Sequence, residues 1–244
     1  MINELHSFLN SIKNKEVNIQ PEQFLAENIQ AFQQMESLGF GTFVYDYQNQ
    51  THHYISENIF TLLEFTPDEL KERNVQALFS KMHPEDSVRV IDLIGQCIQH
   101  IFSQPDRVSS KAVCKHFYRI GQSPKTQKLI LQTNRIFKVG SGFIDLGILQ
   151  WVGSGEEGFP PYLHLQMGNI QKCFFPKGTF LGSVELSGRE EEVMFWSLQG
   201  LTIPEIAIKL NLSVDGIRFH RRKILKKYKV EHFEAIIQEL KIKS

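Results

Sequence analysis

The strongest chemical signal in the sequence is a basic segment near its C-terminal end. Eight of the 27 lysines and arginines lie from Lys209 to Lys229, and Asp215 is the one acid among them, although the whole chain has a formal net charge of zero. A local excess of positive charge is expected for an element that binds phosphates. A solvated basic face without a partner is the alternative.

Helical geometry divides this segment into two faces. The segment is predicted to form a helix that Ser213 caps and that ends near Tyr228. At about 100° per residue, Ile217, Ile224 and Tyr228 share an apolar face that must pack on other helices. The opposite face carries Asp215, Arg218, Phe219, Arg222 and Lys226.

The residue types on the outer face suit the major groove of DNA. Arg218 and Arg222 are four residues apart and point the same way, and arginine matches the paired acceptors of a guanine edge. Phe219 can contact a thymine methyl group. Arg221 and His220 fall near the packed face, so we do not assign base contacts to them.

Other residues are better placed for phosphates, which position a protein on DNA without reading its sequence. Lys223, Lys226 and Lys227 lie at the flank or further along the helix. Thr202 and Ser213 begin two successive helices, where backbone amides favour anions. Their role as helix caps is the simpler interpretation.

The sequence predicts three further helices, two before the basic helix and one after it. Ser187 with Glu190, and Thr202 with Glu205, form capping boxes at the starts of the first two helices. The last helix, "EHFEAIIQELKI", carries Phe233, Ile236, Ile237 and Leu240 on one face. A short helix, a tight turn and a longer basic helix together predict a helix-turn-helix within an all-α four-helix domain.

Residues 186–230, "LSGREEEVMFWSLQGLTIPEIAIKLNLSVDGIRFHRRKILKKYKV", closely resemble the DNA-binding domain of LuxR-type (GerE-like) transcriptional regulators. The resemblance implies that Arg218, Phe219 and Arg222 read bases. It also implies that two subunits pair through the last helix, with Phe233, Ile236, Ile237 and Leu240 as the dimerisation residues.

Gly216 departs from this family, which usually has threonine there. A glycine inside a helix costs roughly 1 kcal/mol relative to alanine, and less in the first turn. The residue is either a tolerated substitution or a means of bringing the backbone closer to DNA.

The first 153 residues predict an α+β domain. Helices are expected at 2–12 and 21–38, followed by a hairpin of "TFVYDY" and "HHYIS", small helices, a long helix in "HPEDSVRVIDLIGQCIQHIF" and three more strands. This order, with "YISENIFTLLEFTPDEL" and "MHPEDSVRV", resembles a PAS domain over about 36–153. The resemblance implies a five-stranded antiparallel sheet with helices.

The predicted organisation has four parts. Residues 1–38 are N-terminal helices that could extend dimerisation, and 39–153 form the PAS-like sensory domain. Residues 154–184 are an ordered connector with a strand or two, and 185–244 form the LuxR-type helix-turn-helix domain.

The sequence says less about what the PAS-like domain detects. PAS domains bind small ligands, cofactors or partner proteins. No cofactor is predicted here, since no flavin-attachment motif with a central cysteine is present, and the ligand of the domain is unknown. His100 as a haem ligand is a weaker alternative to a packed histidine, and no metal site is predicted. A variant of the main hypothesis has an autoinducer-binding domain in place of the PAS-like domain, and the segment "HPEDS" favours the PAS-like domain.

The sequence predicts a homodimeric, sequence-specific transcription regulator that binds double-stranded DNA and takes a small-molecule or protein partner at its PAS-like domain. No catalytic motif, signal peptide or membrane span is recognised, so we expect a cytoplasmic protein that is not an enzyme. Cys97, Cys114 and Cys173 fit reduced thiols. The alternative is a protein-interaction adaptor with weak or absent DNA binding.

Overall fold

The computed structural model describes residues 21–66, 69, 79–104, 112–121, 126–139, 142–155, 162–168, 170–177, 179 and 181–238. The helix predicted at 2–12 and most of "PDELKE" lie outside these residues. The helices are α1 (Pro21–Ser37), α2 (Glu57–Leu62), α3 (Pro84–Phe102), α4 (Gly188–Leu198), α5 (Ile203–Leu210), α6 (Val214–Tyr228) and α7 (Phe233–Gln238). The strands are β1 (Gly41–Asp46), β2 (Thr51–Ile55), β3 (Ala112–Ile120), β4 (Lys128–Val139), β5 (Gly142–Ser154), β6 (Leu163–Met167) and β7 (Ile170–Phe174).

Within the described ranges, the strands form one antiparallel sheet in the order β2-β1-β5-β4-β3-β6-β7. The first five strands are those that the sequence predicts. Strands β6 and β7 come from the connector and extend the sheet beyond β3. The predicted α+β class, with a helical C-terminal part, is confirmed.

The hairpin between β1 and β2 is closed by Asp46, the last residue of β1. Its carboxylate accepts hydrogen bonds from the amides of Gln48 and Asn49, at 2.8 and 3.1 Å from Oδ1. An aspartate that bonds to backbone amides shortly after it is a common way to form a tight turn. Asp46 therefore serves the turn between the strands.

Helix α1 covers one face of the sheet. Its apolar stripe includes Phe24, Phe32 and Met35, all of which are buried. Their partners in the same cluster on β1 and β5 are Val44, Ile144, Leu146 and Ile148. The apolar stripe of α1 is thus used inside the chain.

Helices α2 and α3 cover the other face of the sheet. The start of α3 is fixed to β3 by Asp86, whose carboxylate accepts hydrogen bonds from the backbone amide of Arg119 at 2.7 Å and from its Nε at 2.9 Å. Asp86 is buried, and a buried carboxylate needs such partners. The aspartate of "HPEDS" therefore positions the long helix on the sheet.

The helical C-terminal part packs around its own core, which the connector completes. Ile206, Ile217 and Ile224 belong to this core, and Tyr162 and Phe175 from the connector join the same cluster. The ring of His164 on β6 stacks on the ring of Phe195 in α4, with ring centroids 4.2 Å apart. The end of the sheet and the first helix of the helical part are therefore in direct contact.

Candidate nucleic-acid interface and interior cleft

Helix α6 has the two faces that its sequence predicts. Ile217, Ile224 and Tyr228 are buried in the helical core, whereas Arg218 and Arg222 are exposed. Packing of the apolar face fixes the rotation of the helix about its axis. The arginines are consequently held outward on a surface that a DNA groove could receive.

The turn before α6 is short and well defined. The residue that follows α5, Asn211, is its C-cap and adopts a left-handed conformation with φ 53°, and Ser213 then caps α6. Asparagine tolerates this conformation better than most residues. Oγ of Ser213 accepts a hydrogen bond from the amide of Gly216 at 3.0 Å.

The three predicted base-reading residues lie together on the outer face of α6. Nη1 of Arg218 donates to Oδ1 of Asp215 at 2.9 Å, which holds its guanidinium near the start of the helix. Phe219 is 47% exposed, and Nζ of Lys223 lies 4.6 Å from the centre of its ring. An exposed phenylalanine beside two arginines is an apolar contact of the kind that a thymine methyl group would complete.

The predicted phosphate-binding lysines fall into two groups. Lys223 and Lys226 are exposed on α6. Lys227 is also exposed, but it is paired within the domain, since its Nζ lies 2.7 Å from Oε2 of Glu190 and 3.0 Å from the carbonyl oxygen of Glu185. Lys227 therefore ties α6 to the start of α4 in this structure.

The two predicted capping residues also differ in their surroundings. The amide and hydroxyl of Thr202 both donate to Oε2 of Glu205, each at 2.7 Å. These bonds hold the pKa of Glu205 below its usual range. A carboxylate at a helix start is unfavourable for a nearby phosphate, and Asp215 in the first turn of α6 places one there as well. Oγ of Ser213 bonds to a backbone amide.

Arg221 is turned inward, as its position on the helix predicts. Its guanidinium carbon lies 4.2 Å from the centre of the Phe233 ring on α7. Burial lowers the pKa of Arg221, with Glu234 acting in the opposite direction. This arginine therefore joins α6 to α7.

The described residues predicted for dimerisation lie in or against the core of the helical part. Phe233 and Ile236 are only 3% and 0% exposed, and both belong to the core of the helical part. Ile237 is partly buried against the same core, and Leu240 lies outside the described residues. In this structure Phe233 and Ile236 therefore pack within their own domain.

Gly216 occupies an ordinary helical position in the first turn. A Cβ atom built there would lie 3.2 Å from Oγ of Ser213 and 3.9 Å from Cβ of Leu212. The first distance is tight but involves a side chain that can shift. Packing within the chain thus gives no strong reason for glycine.

The second candidate site is a cleft of about 380 Å³ between α3 and the sheet, called here the interior cleft. Its apolar wall includes Phe43, Tyr45, Met82 and Ile91. Cavities of this size and lining are typical of small-molecule sites.

The polar end of the interior cleft is a chain of buried side chains. Tyr118 donates to Gln132 at 2.9 Å, Gln132 donates to Asn134 at 3.0 Å, and Asn134 donates to Oδ2 of Asp145 at 2.7 Å. The hydroxyl of Tyr47 donates to the same oxygen of Asp145 at 3.1 Å. The chain of hydrogen bonds therefore ends at a carboxyl group.

Asp145 is incompletely satisfied in this position. It is 4% exposed, and its Oδ1 has no hydrogen-bond partner among the described residues. Burial raises the pKa of Asp145 to about 7, and the bonds from Asn134 and Tyr47 offset this only in part. A buried carboxyl without a positive partner is costly to ionise.

His116 lies near the same end of the cleft. It lines a smaller adjoining cavity with Asp145, and neither of its ring nitrogens has a hydrogen-bond partner within the described part of the chain. Burial, with the positive charge of Arg89, lowers the pKa of His116 to about 3. The imidazole is therefore neutral near pH 7 and can donate from one nitrogen and accept at the other.

Sequence analysis did not identify these residues. The sequence does predict the strands that carry Gln132, Asn134 and Asp145. The signal that could have identified these residues is a polar side chain at an inward-facing position of a predicted strand. Using that signal required knowing which face of β4 and β5 is covered by α3.

Helix α3 links the interior cleft to the helical part. Ile91 and Gly95 line the cleft, whereas Asp92 and Gln96 face the connector. Oδ2 of Asp92 accepts a hydrogen bond from the backbone amide of Lys177 at 2.8 Å. Nε2 of Gln96 donates a hydrogen bond to the carbonyl oxygen of Phe175 at 3.1 Å. One helix therefore contacts both the cleft and the segment that leads to the helical core.

In the part of the chain that the structure describes, no helix is long and apolar enough to cross a membrane. The same residues contain no group of three or more histidine, cysteine or acidic side chains that could hold a metal ion. His100 packs with its ring 5.7 Å from that of Phe174.

Residues 184–240 match the family model of bacterial regulatory proteins, luxR family. No curated protein matches the chain in sequence. Among solved structures, a domain of a light and redox sensing histidine kinase from Haloarcula marismortui has 12% identity and a TM-score of 0.37, covering 50% of this chain and 99% of its own.

Two structures of VqmA from Vibrio cholerae cover more of the chain. The VqmA dimer in the absence of target DNA has 16% identity and a TM-score of 0.30, covering 87% of this chain and 85% of its own. The VqmA–ligand–DNA complex has 16% identity and a TM-score of 0.27, covering 88% and 85%.

Proposed function

We propose that this protein, whose residues 184–240 form a luxR-family regulatory domain, is a sequence-specific DNA-binding transcription regulator with a PAS-like sensory domain. The observation that carries the proposal is the outer face of α6. It presents Arg218, Phe219 and Arg222 on a helix whose opposite face is buried. As a DNA-binding protein it would act in the cytoplasm.

In this proposal, Arg218 and Arg222 contact base edges while Lys223 and Lys226 contact phosphates. The amides at the starts of α5 and α6 are further candidates for phosphate contact, although each first turn also carries a carboxylate, Glu205 in α5 and Asp215 in α6. Lys227 acts mainly within the domain. Two subunits on a two-fold site would place two copies of α6 in successive major grooves.

A signal in the interior cleft could reach α6 through α3. A ligand that moves Ile91 or Gly95 also moves Asp92 and Gln96, whose bonds hold the connector beside the helical core. The proposed regulation is thus a shift of the connector that alters the relative position of the two recognition helices. Such coupling requires that the ligand bind one arrangement better than the other.

The proposal is tested with the full-length protein and a DNA duplex selected from a random library. Arg222→Ala is expected to weaken binding to the selected duplex by about 10- to 100-fold for each half-site, because one bidentate arginine–base contact is worth about 1–3 kcal/mol. The melting temperature should stay the same, since Arg222 is exposed. Fluorescence anisotropy and thermal unfolding measure the two quantities.

Arg189→Ala is the matched control, because it removes one exposed arginine from α4 of the same domain. It should retain the preference for the selected duplex. A shallow dependence of affinity on salt would favour the adaptor function, since several phosphate contacts give a steep one. If Arg222→Ala lost its fold to the same extent as it lost DNA binding, the assignment of Arg222 to base contact would be contradicted.

A further inference from the structure

The interior cleft combines an apolar wall with one unsatisfied acid. Phe43 and Tyr45 contribute aromatic rings to the wall, and Asp145 lies at the polar end. Aromatic faces attract cations as well as apolar groups. The cleft is therefore chemically asymmetric, with a flat apolar part and one acidic point.

Asp145 receives hydrogen bonds from two neutral donors, Asn134 and Tyr47, both on Oδ2. Its Oδ1 lacks a hydrogen-bond partner among the described residues. An ionised carboxylate in such a place is stabilised if a ligand brings the missing positive charge and N–H donor.

Gly95 supplies a second observation. It lies in the middle of α3, where glycine is less favourable than alanine. A Cβ atom built on Gly95 would meet no atom within 4 Å, so no neighbour in the described structure requires glycine. Gly95 is exposed and is one of the residues that line the cleft.

We infer that the interior cleft binds a small aromatic cation, an amine or amidine whose protonated nitrogen lies at the carboxyl group of Asp145. The inference rests on the proposed sensory function and specifies the ligand class of that site. The flat body of the ligand lies against Phe43 and Tyr45 and occupies the space beside Gly95.

The test uses three probes of one shape: benzamidine, which is cationic, benzamide, which is neutral, and benzoate, which is anionic. Isothermal titration of the full-length protein should give binding of benzamidine about 10- to 100-fold tighter than of benzamide, because a hydrogen bond to a charged group is worth about 1.5–3 kcal/mol. Benzoate should be the weakest ligand. Benzamide or benzoate binding as tightly as benzamidine, or no binding of benzamidine, would overturn the inference.

Two variants locate the interaction. Asp145→Asn keeps the side-chain shape and should abolish the preference for benzamidine, whereas Glu22→Gln, which removes an exposed carboxylate on α1, should retain it. Gly95→Leu should fill the cleft and abolish binding of all three probes while the protein stays folded. A preference that persists in Asp145→Asn would refute the role of Asp145.

Binding of benzamidine should also tighten from about pH 6 to about pH 8, as Asp145 ionises. The groups that face Asp145 are Tyr47, Cys114 and His116, and they stay neutral in this range. The pKa values of Tyr47 and Cys114 are raised, and that of His116 is lowered. DNA binding of the selected duplex is measured separately, so failure here leaves the DNA-binding proposal intact.

Discussion

The outer face of α6 and the interior cleft use charge in opposite ways. On α6, positive side chains are gathered on an exposed surface, where water solvates them until a polyanion replaces it. In the cleft, the acid Asp145 is buried, and one of its oxygens lacks a partner among the described residues. The first region can hold its charge without a ligand, whereas the second is destabilised by ionisation until a ligand compensates it.

This difference separates the energetic roles of the two regions. Removing a charge from α6 should change binding and leave stability alone, since exposed charges contribute little to folding. Removing the charge of Asp145 should change stability itself, because desolvation of a buried carboxylate is costly.

The largest expected effect is the pH dependence of Asp145→Asn. The folded protein keeps the proton on Asp145 up to a pKa of about 7, whereas an unfolded chain releases it near the ordinary value of 3.8. Folding therefore takes up a proton between these values, and this contribution to stability falls as pH rises. The variant should gain stability over the natural protein by up to about 4 kcal/mol across this range.

Unfolding by urea at a series of pH values measures the difference. His116 and His164 act in the opposite direction, because their folded pKa values of about 3 and about 4 lie below the ordinary 6.5. Both proteins contain these histidines, so their effect cancels in the comparison. A difference that does not change with pH would show that Asp145 is not desolvated.

The next effect concerns the buried face of α6. Ile224→Ala should lower the free energy of unfolding by about 3 kcal/mol, since Ile224 is fully buried and its truncation leaves a cavity. DNA binding should fall only where the protein unfolds, in contrast to Arg222→Ala. Urea unfolding together with anisotropy at low temperature separates the two. Unchanged stability in Ile224→Ala would contradict the packing of α6.

The smallest effect is expected at Gly216. Gly216→Ala should stabilise the protein by no more than about 0.5 kcal/mol, because the gain in helix propensity is offset by crowding of Ser213. Affinity for the selected duplex should be unchanged. A loss of affinity without a loss of stability would instead assign Gly216 to close approach of the DNA backbone.

Much of the local structure follows from short patterns in the sequence. The caps at Ser187, Thr202 and Ser213, the hairpin after β1 and the two faces of α6 depend on residues close in sequence, and all are present in the structure. Local hydrogen bonds and helical periodicity are sufficient to predict such features.

Other features depend on contacts between distant residues. Strand β6 joins the sheet by pairing with β3, which lies far earlier in the chain, and β7 then pairs with β6. The apolar face of α7 could cover either its own domain or a second subunit, and only the packing of Phe233 and Ile236 shows which. The sequence contains the same apolar stripe in both cases.

The sequence by itself determined that α6 is a capped, basic, amphipathic helix, because 3.6-residue periodicity relates neighbouring residues directly to a face. Only the tertiary structure decided that Asp145 meets Tyr47 and Asn134 at the end of a cleft, because those residues come from separate parts of the chain. Burial is a property of the assembled fold, so a buried acid cannot be distinguished from an exposed one before the elements pack.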